Sequence, residues 1–78
     1  MKYGKSIALI YLYDQLIQKK RIEKSRIIRT LEISEIAFWR YIQDIRAFLT
    51  EFDPGKELVY NKKNQSYELI CNEHEWGE

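Results

Sequence analysis

The sequence predicts a mainly α-helical domain closed by a small β-hairpin, three helices followed by two short strands. Three observations carry that expectation. Apolar residues recur at helical spacing through three successive stretches up to position 51. A "DPG" at 53–55 then forbids helix continuation, because proline lacks the amide donor and restricts the residue before it. Beyond it, "ELVY" at 57–60 and "SYELI" at 66–70 read as short strands.

Ser6 is the expected N-cap of a first helix running to about Lys20, where Lys19, Lys20 and Arg21 suit the negative end of the helix dipole. Leu9, Leu12, Tyr13 and Leu16 form its stripe. Ile7, Ile10, Tyr11 and Ile17 widen that stripe beyond the needs of a surface helix, so the helix is expected to be covered on two sides. It is either the central core helix or a docking face for a dimer mate or a following domain.

Ile27, Ile28 and Leu31 predict a short second helix over 24–31, and Ile33 enters a tight turn. Ser34 stands where its hydroxyl would satisfy free amides of a third helix over 35–51, with Glu35 at the positive end of the dipole. In the tail, "NKKNQ" separates the two strands, and its asparagines tolerate the positive dihedrals of a hairpin turn. Leu58 and Tyr60 would share one face, opposed by Tyr67 and Leu69. A lone hairpin is marginal, so it must lean on the helices. The expected organisation is one domain over 1–71, with the acidic "NEHEWGE" at 72–78 as a tail or the start of a linker.

Composition narrows the classes. Seventy-eight residues, 45% of them hydrophobic, suit a small globular domain with a modest core. Thirteen basic against 12 acidic residues leave a net charge of +1, so any contact with a nucleic acid must come from a local arrangement of charge. One cysteine, Cys71, excludes an internal disulfide and favours a cytoplasmic setting. The longest apolar run, "IALIYLY" at 7–13, is too short to span a bilayer, and no cofactor or membrane is implied.

The third helix carries apolar residues on two sides. Phe38, Ile42, Ile45 and Leu49 make the inward stripe, whereas Ile36, Arg40, Gln43 and, more loosely, Trp39 point away from it. Around this helix lie Arg21, Ile22, Leu31, Ile33, Ser34, Phe38, Arg40, Ile42, Ile45 and Arg46, in unbroken register. That run resembles the winged helix-turn-helix domain of bacterial transcription regulators, in particular the DeoR-like group and the N-terminal module of WYL-domain regulators. The likeness is close over about a third of the chain and extends in outline to Ile70. Three positions depart from the family pattern: Glu32 where glycine is frequent, Ala37 in place of threonine, and Tyr41 where many members carry aspartate.

The resemblance implies binding of double-stranded DNA, with the third helix in the major groove. Ser34 and Glu35 stand at that helix's leading end. Arg40 would bond a phosphate or a guanine edge, Gln43 an adenine and Glu35 a cytosine amine, while Ile36 would meet thymine methyls. Trp39 would pack on sugar or backbone. Lys62, Lys63 and Asn64, with Gln65, form a hairpin tip suited to phosphates or the adjacent minor groove. Arg26 and Arg29, with Lys19, Lys20 and Arg21, are candidates for further backbone contacts. The plainer accounts are a Trp39 that flanks the core, tip lysines that serve solubility and edge protection, and solvated basic faces.

Enzyme chemistry finds little footing. Cys71 and His74 are too few for a metal framework, there is no glycine-rich phosphate loop, and the carboxylates are scattered among basic neighbours. The rival from another class is a winged helix that binds protein, which the weak net charge and the apolar Ile36 and Trp39 would suit. Pairing of half-sites implies a homodimer or a further C-terminal domain attached through the first helix, and the chain reads more readily as a fragment of a longer protein.

Overall fold

A computed structural model describes residues 3–71. Its elements run α1 (Lys5–Lys19), β1 (Arg21–Glu23), α2 (Lys24–Leu31), α3 (Glu35–Phe52), β2 (Lys56–Asn61) and β3 (Ser66–Cys71). The strands form one antiparallel sheet in the order β1-β3-β2. A sheet of two strands was expected, and the structure corrects this to three. In β1 only Ile22 has a side chain that can be buried, so three residues carry no period of their own. They become a strand through pairing: Arg21 opposes Glu68, Ile22 opposes Tyr67 and Glu23 opposes Ser66.

Helix α1 begins at Lys5 behind Gly4, which makes no side-chain cap, so Ser6 is not its N-cap. Its inward face is Ala8, Leu12 and Leu16, four residues apart and all fully buried. The expected second cover is not there. Ile7 and Ile10 remain exposed, while Leu9, Tyr11, Tyr13 and Ile17 are partly buried against the core. Lys20 ends the helix in the left-handed region at φ 64°, its N–H donating to the Leu16 carbonyl at 2.8 Å. Lys20 is thus the single residue that joins α1 to β1.

Helix α2 occupies the expected 24–31 and buries Ile27 and Leu31. Its exit turn places Glu32 at φ 56°, ψ 51°, and both Glu32 N–H and Ile33 N–H donate to the Ile28 carbonyl, the latter at 3.2 Å. This left-handed cap normally favours glycine, so the turn keeps its usual shape with a residue that strains it. Ile33, tucked into the core, anchors the chain before α3. Ser34 then caps α3, its hydroxyl oxygen accepting the Ala37 N–H at 3.1 Å, which contributes about 1 kcal/mol.

Helix α3 buries Phe38, Tyr41, Ile42, Ile45 and Leu49 and extends one residue past the expected end, to Phe52. Asp53, Pro54 and Gly55 turn the chain, with Lys56 N–H donating to the Asp53 carbonyl at 3.0 Å and Lys56 Nζ reaching the Asp53 carboxylate at 2.8 Å. In the hairpin Leu58 opposes Leu69 and Tyr60 opposes Tyr67, the expected pairs. Leu58, Tyr67 and Leu69 are buried, and Phe38 meets the Tyr67 ring at 5.7 Å between centroids, which fastens sheet to helices. The positive dihedral of the tip falls on Gln65 (φ 51°) rather than on an asparagine. Asn61 serves differently: its side-chain oxygen accepts the N–H groups of Lys63 (2.9 Å) and Asn64 (3.3 Å), fixing the loop's start.

Candidate nucleic-acid interface

The inward stripe of α3 leaves an outward flank by geometry alone, since residues two positions from a stripe residue lie about 200° around the helix and project to its far side. On that flank Ile36 is 66% exposed and Trp39 48% exposed, with Arg40 and Gln43 open to solvent. Ser34 and Glu35 are exposed at the leading end. Tyr41, by contrast, is buried. Ala37 is half-buried against the core, so the position that carries a hydroxyl in the family resemblance faces partly inward here.

The opposite side of the helix is held firmly. Phe38 and Ile42 are almost fully buried, whereas the Lys5–Asp44 pair at 3.4 Å is solvent-exposed, lies nearer the flank and adds little. Arg46 donates through Nη2 to the Leu58 carbonyl oxygen at 3.2 Å, so α3 is also tied to β2. Trp39 and Arg46 are two helical turns apart on one side of α3, which makes the tryptophan side of the flank the hairpin side.

Lys62, Lys63 and Asn64 are exposed in the loop between β2 and β3. A chain of contacts sets that loop and the leading end of α3 at the same end of the molecule. Asn61 and Ser66, which bracket the tip, are ladder partners, and Ser66 is in turn the partner of Glu23. Glu23 precedes Lys24, whose ammonium lies 3.7 Å from the Glu35 carboxylate. The sequence-chosen residues therefore form two groups on one end of the fold, one on α3 and one on the hairpin tip.

Electrostatically the flank is simple. Among the described residues, Arg40, Lys62 and Lys63 have no ion-pair partner, whereas Glu35, the acid of the group, is offset by Lys24. The Lys24–Glu35 pair is largely solvent-exposed and contributes little to stability. Sequence reasoning missed both this pair and the Arg46–Leu58 bond. Neither has a sequence signature, because each joins residues brought together only by the turn and the sheet.

Lys19, Arg21 and Arg26 line a separate groove of about 350 Å³ between α1, β1 and α2, together with Tyr11, Gln15 and Glu23. No residue of α3 lines that groove. Cys71 is half-buried at the end of β3, and His74 lies outside the described residues, as does the expected tail at 72–78. Among the described residues no group of three or more His, Cys, Asp or Glu side chains could hold a metal ion. No described helix is long and apolar enough to cross a membrane. No family model, no curated protein and no solved structure matches the chain.

Proposed function

We propose that the chain is a winged helix-turn-helix module that binds double-stranded DNA sequence-specifically in a bacterial-type transcription regulator working in the cytoplasm. The observation that carries this reading is the outward flank of α3, where Ile36, Trp39, Arg40 and Gln43 stand in solvent while Phe38, Ile42 and Ile45 lock the other side. A helix fixed on one side and lined on the other with hydrogen-bonding and apolar groups has what reading a major groove requires.

In this reading α3 enters the groove by its leading end. Gln43 offers the donor and acceptor pair that matches adenine, and Arg40 offers the fork that matches guanine or a phosphate. Ile36 meets thymine methyls and Trp39 lies along the sugar-phosphate backbone. Lys62 and Lys63 bring their ammonium groups to phosphates on the flank, with Asn64 beside them. The third strand of the sheet supports such a wing, because β1 pins β3 to the helices.

The test is selection of bound duplexes from a random pool, followed by a salt titration of the best sequence. Enrichment of one sequence, with affinity falling steeply as salt rises, supports the proposal. Arg40→Ala should then cost about 1–3 kcal/mol and relax the preference at one base pair. A pool that enriches nothing would overturn it. One observation favours a second reading: Ile36 and Trp39 are apolar and open, as in a protein-docking surface. Binding to a protein partner that is indifferent to salt and abolished by Trp39→Ala would select that reading instead.

A further inference from the structure

Strand β1 is an edge of the sheet, since the order β1-β3-β2 pairs it on one side only. Leu69 N–H donates to the Lys20 carbonyl at 2.9 Å, so these two residues form a hydrogen-bonded pair. Such pairs alternate along an antiparallel ladder, which makes Ile22 and Tyr67 the next one. Arg21, between them and opposite Glu68, therefore has its N–H and C=O turned away from β3. Among the described residues no turn or loop bond takes up either group. The groove of about 350 Å³ between α1, β1 and α2 opens on this edge, because no residue of β3 lines it. Three cations surround the unpaired backbone: Lys19, Arg21 and Arg26 line the groove and are exposed. Among the described residues none of them has an ion-pair partner. The carboxylate of Glu68, across the ladder from Arg21, accepts instead from Asn61 Nδ2 at 3.0 Å. Glu23 is the one acid of the lining, so the walls keep an excess of positive charge.

We infer that this edge takes an extended acidic peptide of a partner protein, which joins β1 through the Arg21 backbone as a further strand of the sheet. The unpaired backbone selects a peptide over other anions. The Arg21 carbonyl is an acceptor, and a phosphodiester or a lone carboxylate brings it no donor, whereas a peptide supplies N–H and C=O together. The cations select the side chains. Alternate residues of an added strand share one face, so acids at every second position lie together on the side of the Arg21 guanidinium. Along α1 the groove wall runs from Tyr11 to Lys19, about 12 Å of helix, which matches about four residues of extended chain. Main-chain bonds to one residue set the register and the charges supply the attraction. The affinity is therefore on the order of 0.1 mM and falls as salt rises. No residue of α3 lines the groove, so the inference neither needs nor opposes the DNA-binding reading.

The experiment is an NMR titration of the isotope-labelled full 78-residue chain with a short end-capped peptide of alternating glutamate and valine. The Arg21 amide should shift and its exchange with solvent should slow about tenfold as it gains a partner. The same peptide N-methylated at every second residue keeps its carboxylates and loses main-chain donors, and should bind about tenfold more weakly. A double variant Arg21→Glu, Arg26→Glu, at two exposed positions, should keep the parent's circular dichroism and lose binding by more than about tenfold. Lys5→Glu, a charge reversal of the same kind outside the groove, should bind as the parent does. A peptide that leaves the Arg21 amide unmoved at about 1 mM overturns the inference. So does an N-methylated peptide that binds equally well, or inorganic phosphate that produces the same shifts, since either would reduce the groove to a charge trap. The DNA reading fails by a different signal, the absence of salt-sensitive duplex binding, which this titration does not touch.

Discussion

Arg46 and Leu58 join the third helix to the hairpin, the guanidinium Nη2 donating to the Leu58 carbonyl oxygen at 3.2 Å. The same guanidinium carbon sits 5.9 Å from the centre of the Tyr67 ring, whose other neighbours are Phe38 and Tyr60. Strand β2 is an edge strand, so a carbonyl it turns away from β3 has no ladder partner, and Arg46 satisfies one such group. The hairpin's angle to α3 is thus set by one side chain as well as by apolar packing.

Arg46→Met keeps the aliphatic stem and removes the charged donor. The loss should be about 1–2 kcal/mol, the worth of a partly exposed hydrogen bond from a charged group together with the ring contact. Chemical denaturation measures the total, and amide exchange in β2 should accelerate before exchange in α3. Arg46→Lys should recover only part of the loss, because an ammonium has neither the fork nor the planar face. If Arg46→Met unfolds at the parent's denaturant concentration, the tie has no energetic weight.

Much of this architecture is legible in the letters. The four-residue rhythm of Phe38, Ile42, Ile45 and Leu49 fixes which side of α3 is inward, and the Ser34 cap marks where the helix starts. What escapes is whatever depends on partners distant in sequence. Arg21–Glu23 shows no strand pattern because three residues are too few to alternate, and only the antiparallel neighbour makes them a strand. Ile7 and Ile10 look like core residues by composition, yet among the described residues no element covers α1 on that side. The candidate site follows the same division. Ile36, Trp39, Arg40 and Gln43 are readable from helical spacing, but the link from the hairpin tip through Ser66, Glu23 and Lys24 to Glu35 exists only in three dimensions.

Glu32 holds a left-handed conformation that costs an ordinary residue about 1–2 kcal/mol and glycine almost nothing. Comparing Glu32→Gly with Glu32→Ala isolates that backbone cost, since both variants lose the carboxylate and only alanine keeps a Cβ. The glycine variant should be the more stable by about 1 kcal/mol, net of glycine's greater freedom when unfolded. Paired thermal and denaturant melts measure the difference. Equal stabilities would mean that the turn relaxes out of the left-handed region when Glu32 is replaced.

Tyr67 gives the fold an alkaline weakness. Burial raises its phenol above the ordinary value of 10.0, the Arg46 charge partly opposes that, and Tyr60 adds to it. Raised in the folded state, the group holds its proton more tightly there than in the unfolded chain. Its contribution is therefore fully present below pH 10 and is lost as pH climbs from there through the folded value. Tyr67→Phe cannot ionise, so its unfolding free energy should fall less steeply than the parent's above pH 10. Parallel alkaline slopes for the two proteins would show that other groups govern this limb.

Among the described residues Lys62 and Lys63, at the hairpin tip, have no ion-pair partner, and in the proposed complex each neutralises one backbone phosphate. Each phosphate contact steepens the dependence of log K on log salt by about 0.9. Replacing both lysines with alanine should therefore flatten the slope by about 2 and weaken every duplex alike, leaving the order of preferred sequences unchanged. The stability of the protein should hardly move, since both side chains lie in solvent. A double variant that instead changes which base pair is preferred would assign the tip to base recognition. An unchanged salt slope would remove the hairpin from the interface and leave α3 as the whole of it.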